Sequence, residues 1–160
     1  PVSFTWLAVA LSVNYLLLSI IYRPPAIIIH DPVLFILSII MLLMVLMGYA
    51  LLLAGTMISS GTTGFVMELL SFILPISTGG LTPLSRLPEA IRSFALSTPF
   101  SYPAELIRYS ILGWEPVMNI AWMLIIGFLY ATAFILVGIV YFRTQFKKIL
   151  REGVRATTLW

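Results

Sequence analysis

FVMELLSFILPISTGGLTPLSRLPEAIRSFALSTPFSYPAELIRYSILG, residues Phe65 to Gly113, decides how this chain folds. It starts as an apolar helix, meets Pro75 and the pair Gly79-Gly80, and then breaks into two short segments opened by prolines. Pro88 and Glu89 open the first, PEAIRSFALS, in which Ile91, Phe94 and Ala95 share one face while Arg92 and Ser93 turn away. Pro103 lies in the first turn of the second, PAELIRYSIL, with Glu105 near its N-terminus, where the helix dipole favours a carboxylate. Glu89 and Arg92, like Glu105 and Arg108, are three residues apart and within reach of each other on a helix. Neither segment is long enough to cross a bilayer. Together they read as a hairpin that dips into a membrane or lies on its surface.

The membrane enters through composition. Of 160 residues, 61% are hydrophobic and 9% charged, and the mean hydropathy is +1.08. Soluble domains carry about a quarter charged residues, so this is the composition of an integral membrane protein. The absence of cysteine excludes disulfides and thiolate metal sites. The net charge of +3 is less telling than its placement, because Arg143, Lys147, Lys148, Arg151 and Arg155 gather at the C-terminal end. Such a cluster reads as a topology signal rather than a nucleic-acid site. The chain opens at Pro1 directly into an apolar run, which predicts an N-terminally incomplete piece of something longer.

Outward from the broken stretch lie uninterrupted apolar runs. The first, about residues 3–22, is long enough for about 30 Å of helix and has Asn14 as its one strongly polar side chain, a hydrogen-bond partner for a neighbouring helix. Arg23-Pro24-Pro25 ends it. His30-Asp31 precedes Pro32 and supplies too few ligands for a metal; Asp31 fits a helix start and His30 an interface. The second run, about 33–58, has no charge, and its Gly48, Ala50, Ala54 and Gly55 leave room for close helix approach. The third, about 63–78, reaches only about 20 Å as helix and must end partway or finish in non-helical form. Glu68 lies inside it. That carboxylate is either solvated near an interface or part of a polar network linking the two halves of the membrane. The last run, about 117–142, carries Gly127 and Ala131 four apart and leads into a basic amphipathic tail, 143–160.

The predicted fold is therefore an all-α integral membrane protein forming a single transmembrane domain. Four transmembrane helices are expected, with a broken re-entrant or extracellular hairpin, about 79–113, between the third and the fourth. A cytoplasmic basic tail places both termini of this chain inside, the Ser59–Gly64 turn inside and the hairpin outside.

The stretch from Pro75 to Gly113, with its flanking spans, resembles the C-terminal part of the permease subunits of type-2 ABC exporters. The likeness rests on the break at Gly79 and Gly80, on Pro83-Leu84-Ser85-Arg86-Leu87-Pro88, on Pro99 with Tyr102, and on Glu105-Leu106-Ile107-Arg108 before a last span with a basic end. It covers nearly the whole chain as spans three to six of the family's six; the family's N-terminal interfacial helix, first two spans and following cytoplasmic loop are not represented. The resemblance implies a plasma-membrane subunit that pairs with a second permease copy and an ATP-binding cassette subunit. It would export a lipid-linked glycan, lipid or drug-like substrate. ATP would be bound by the partner, in keeping with the lack of a G-x-x-x-x-G-K-[ST] loop in this sequence, and no cofactor, metal or catalytic residue is expected in this chain. Glu68, Pro75, Gly79, Gly80, Pro83, Pro88, Tyr102, Glu105 and Arg108 are the gate or hinge candidates. Two other classes stay open: a non-transporting anchor or assembly subunit, and an intramembrane lipid-modifying enzyme.

Overall fold

The computed structural model describes residues 2–21, 29–79 and 82–152, and within them every regular element is helical. The helices are α1 (Val2–Ile21), α2 (Pro32–Ser60), α3 (Gly64–Ser77), α4 (Glu89–Leu96), α5 (Ser101–Leu112) and α6 (Ile120–Glu152), with a 3-10 turn at Leu84–Arg86. Among the described residues two helices, α2 and α6, are long and apolar enough to cross a membrane.

The pair α2 and α6 forms the backbone of the fold. Buried positions on α2 are Leu34, Ser38, Met41, Val45, Gly48 and Gly55, a four-three alternation. This is the spacing of a helix that meets a neighbour through a heptad seam. Met41 faces Gly127, Gly48 faces Phe134 and Ile135, and Gly55 faces Tyr141. Contacts that advance together along both helices mean that α2 and α6 run in the same direction. The glycines set how closely they approach, since a Cβ on Gly138 would lie 2.7 Å from the Gly48 carbonyl oxygen.

The start of α2 is fastened by Asp31, whose carboxylate accepts the Leu34 amide at 3.0 Å, with Pro32 in the first turn. Asp31→Ala should cost about 1 kcal/mol, read as a lower unfolding temperature, whereas Asp31→Asn should retain most of the stability. Gly61 ends the helix in left-handed geometry, at a φ of 73°, and returns its amide to Met57.

Because α2 and α6 are parallel, the chain between them must return over their length. It does so in pieces. Helix α3 makes the first part, and Pro75 does not stop it: the proline lies in its last turns, and the helix continues to Ser77. Proline removes only one amide, and here the turn ends two residues later, where Gly79 adopts a φ of 65°. The chain break thus falls at Gly79 rather than at Pro75. After it, 82–88 climbs along α5, α4 descends, and α5 climbs again to its end at Gly113. There the His30 amide donates to the Ser110 carbonyl at 2.8 Å, which returns the chain to the start of α2.

The turn between α4 and α5 lies well along the α2–α6 pair. Phe100, buried, packs edge-on to Tyr49 of α2 and Phe134 of α6, with ring centres 6.2 and 6.1 Å away. Leu34, Met41, Val45, Tyr102, Leu106, Met123 and Ala131 complete this core, and Leu70 and Leu74 of α3 pack against it. The described part of α1 contributes no residue to it. Among the described residues Asn14 serves its own helix, donating to the Ala10 carbonyl at 3.0 Å. Helix α6 continues unbroken from its apolar part into the basic segment.

Candidate functional site

The hairpin presents its polar groups inward. At the first turn of α5, Ser101 is buried, and its hydroxyl lies 2.6 Å from the Ser77 carbonyl at the end of α3, close to the Ala95 carbonyl of α4. The Thr98 hydroxyl is 2.9 Å from Ser101 Oγ and 2.7 Å from the Ala95 carbonyl. Each hydroxyl has one proton to donate. Ser101 to Ser77 and Thr98 to Ala95 uses both and ties α3, α4 and α5 together. One residue further, the Tyr102 hydroxyl donates to the Leu96 carbonyl at 2.8 Å, while its ring stacks on Tyr130 of α6 at 5.6 Å.

Two turns up α5 is the charged part. Arg108 Nη1 donates to Glu105 Oε1, and Nη2 donates to the carbonyls of Thr78 and Gly79 at 2.9 and 2.8 Å. The guanidinium therefore closes the end of α3, supplying positive charge and donors where helix carbonyls have no partners of their own. Glu105 is 4% exposed and balances that charge, and it also accepts the Leu84 amide at 3.4 Å. This is the one ion pair among the described residues. Glu89 and Arg92, equally spaced in sequence, do not pair. Glu89 is exposed and Arg92 half-buried, and a pair with one end open to water contributes little.

Gly79 is required by both its backbone and its neighbours. Its φ of 65° disfavours a side chain, and a Cβ there would lie 2.9 Å from Arg108 Nη1 and 3.1 Å from the Thr82 carbonyl oxygen.

Of the nine residues singled out from the sequence, Gly79, Tyr102, Glu105 and Arg108 converge here. Pro83 and Pro88 shape the approach: their carbonyls accept the Arg86 and Arg92 amides at 2.9 Å each, opening the 3-10 turn and α4. Pro75 lies one turn below, inside α3. Glu68 is elsewhere, on an exposed face with Phe65, Leu69, Phe72 and Ile73 around it. Gly80 lies outside the described residues. Sequence reasoning passed over Ser77, Thr98 and Ser101. The signal was available, since small hydroxyl residues flank each end of the break, but such residues are also ordinary turn formers.

His30 and Asp31 play separate parts: the His30 ring rests on Gly113, and Asp31 caps α2. Comparison with family models, with curated proteins and with solved structures finds no match.

Proposed function

We propose that this chain is the membrane-spanning permease subunit of an ATP-driven exporter of the type-2 ABC class, moving a lipid-linked glycan, lipid or drug-like substrate. A separate subunit binds and hydrolyses ATP. The carrying observation is the hairpin turn seated between Tyr49 and Phe134. Beside two long apolar helices, the carbonyls at the broken helix ends are met by side chains: Ser77 and Gly79 after α3 by Ser101 and Arg108, and Ala95 and Leu96 of α4 by Thr98 and Tyr102. At membrane depth, non-helical backbone is tolerated only when protein or water satisfies it in this way.

In this reading α1, α2, α3 with the strip that follows it, and α6 are the four spans, and α4–α5 re-enters from the outer side. The parallel course of α2 and α6 supports that topology, because two spans of the same direction need a return crossing between them. The basic end of α6 (Arg143, Lys147, Lys148 and Arg151) marks the cytoplasmic side of a plasma membrane, together with the turn after α2. The exposed apolar face of α3, with Phe65, Leu69 and Phe72, meets lipid or a second permease copy. The chain's own work is conformational: α3 and α5 move as one piece through the Arg108 tie, and the hairpin opens or closes the outer exit.

The test uses the tagged full chain purified from its native membrane. An ATP-binding cassette subunit should accompany it, and ATP-dependent export by the reconstituted pair should fall at least several-fold with Gly79→Val. A left-handed backbone costs an L-residue about 1–2 kcal/mol, and valine would also displace the Arg108 guanidinium. Membrane insertion of the variant should be unchanged. Undiminished export would remove the hairpin from the mechanism, and absence of any ATPase partner would favour an anchor or assembly role.

A further inference from the structure

At the end of the bundle where α5 stops and α6 begins, a groove of about 530 Å³ is lined by Pro83, Arg86, Arg92, Trp114, Glu115 and Val117, among others. Its size falls within the range of small-molecule sites, roughly 300–1,000 Å³. Three of its side chains are charged, and among the described residues none of the three has an ion-pair partner. Arg86 and Glu115 are exposed, Arg92 is half-buried, and Trp114, which also lines the groove, is 49% exposed. The contrast with Arg108 is informative: the same hairpin neutralises one arginine fully and leaves two facing an open cleft.

We propose that this groove binds the zwitterionic headgroup of a membrane lipid, a phosphate diester carrying an amine. The two guanidiniums match the phosphate oxygens, since arginine presents paired donors in a planar fork. Glu115 decides between headgroups. Both kinds of headgroup bring one phosphate to the arginines, and only a headgroup with an ammonium also gives the Glu115 carboxylate a cation to pair with. The Trp114 face adds a surface for the ammonium and for the glycerol end of the chains, as tryptophan does at bilayer interfaces. The inference rests on the membrane placement argued above for α2 and α6, which sets this groove at headgroup level. It does not require that the chain export anything.

Binding is measured on the full chain in non-ionic detergent, with Trp6, Trp122 and Trp160 replaced by phenylalanine so that Trp114 reports alone. The probes are short-chain phosphatidylethanolamine, short-chain phosphatidylglycerol, the phosphate-free diacylglycerol and soluble phosphoethanolamine. Phosphatidylethanolamine should change the Trp114 fluorescence saturably. Arg86→Gln with Arg92→Gln should weaken it by about tenfold or more, the order of one charge-assisted hydrogen bond lost. Glu115→Gln should weaken phosphatidylethanolamine and leave phosphatidylglycerol unchanged or tighter. Saturable, arginine-dependent binding of phosphoethanolamine at equal affinity would support the same site with a soluble ligand as its source. Diacylglycerol binding as well as the phospholipid, or indifference to the arginine pair in a variant with unchanged circular dichroism, would overturn the proposal. A preference for phosphatidylglycerol that survives Glu115→Gln would overturn it as well. Export plays no part in these measurements, so failure of the transport reading and failure of this one are separable.

Discussion

Replacing Arg108 by methionine should destabilise the chain by about 3–5 kcal/mol, the loss typical when one member of a buried ion pair is removed. The reason is what remains. Glu105, 4% exposed, would keep a carboxylate in an apolar surrounding with only the long contact from the Leu84 amide. The Thr78 and Gly79 carbonyls would lose their donor at the same time. Thermal unfolding of the detergent-solubilised chain reads the loss, and limited proteolysis should cut first between Thr78 and Pro88. Adding Glu105→Gln should recover about 1–3 kcal/mol, the usual coupling within one network, because an amide in that place carries no charge to neutralise. If Arg108→Met alone unfolds at the temperature of the parent chain, the tie between α5 and α3 is not holding the hairpin.

The second large effect lies in the α2–α6 seam. Gly138→Val should cost roughly 3 kcal/mol, at the upper end for overpacking, because the atom it meets is the Gly48 backbone carbonyl, 2.7 Å from the new Cβ. A flexible side chain could turn aside; a helix backbone cannot. The two helices would have to separate, and Phe100, wedged between Tyr49 and Phe134, would lose its contacts on both sides. Val137→Leu, one residue away on a face that is 57% exposed, serves as the control and should stay within about 0.5 kcal/mol. Equal melting of the two variants would mean that the close approach is not what holds the pair together.

Much of the secondary structure was legible residue by residue. Apolar runs without charge announced α2 and α6, Asp31-Pro32 announced the start of α2, and the prolines at 88 and 103 announced α4 and the first turn of α5. These are local signals, each acting within a turn or two of its own residue. The position of the break was less legible. Pro75 is the stronger helix breaker by type, yet near the end of α3 it leaves one carbonyl unserved and no more, so the left-handed turn at Gly79 ends the segment. The seam of α2, with its four-three spacing from Leu34 to Gly55, was present in the sequence too. It was masked because nearly every position around it is also apolar.

Among the candidate site residues the division is similar. Glu105 and Arg108 are three apart on one helix, so their pairing could be read in advance; Glu89 and Arg92 share the spacing and do not pair. Spacing states which contacts are within reach, and burial decides which of them form. Nothing local shows that Arg108 closes α3 from 30 residues away in sequence, or that Ser101 meets Ser77. Composition and local pattern alone were sufficient for an all-helical chain with long apolar helices and a short third one. The parallel course of α2 and α6, the seat of the hairpin turn between them, and the tie through Arg108 depend on which apolar faces and polar groups pack together once the helices meet, because those contacts join residues distant in sequence.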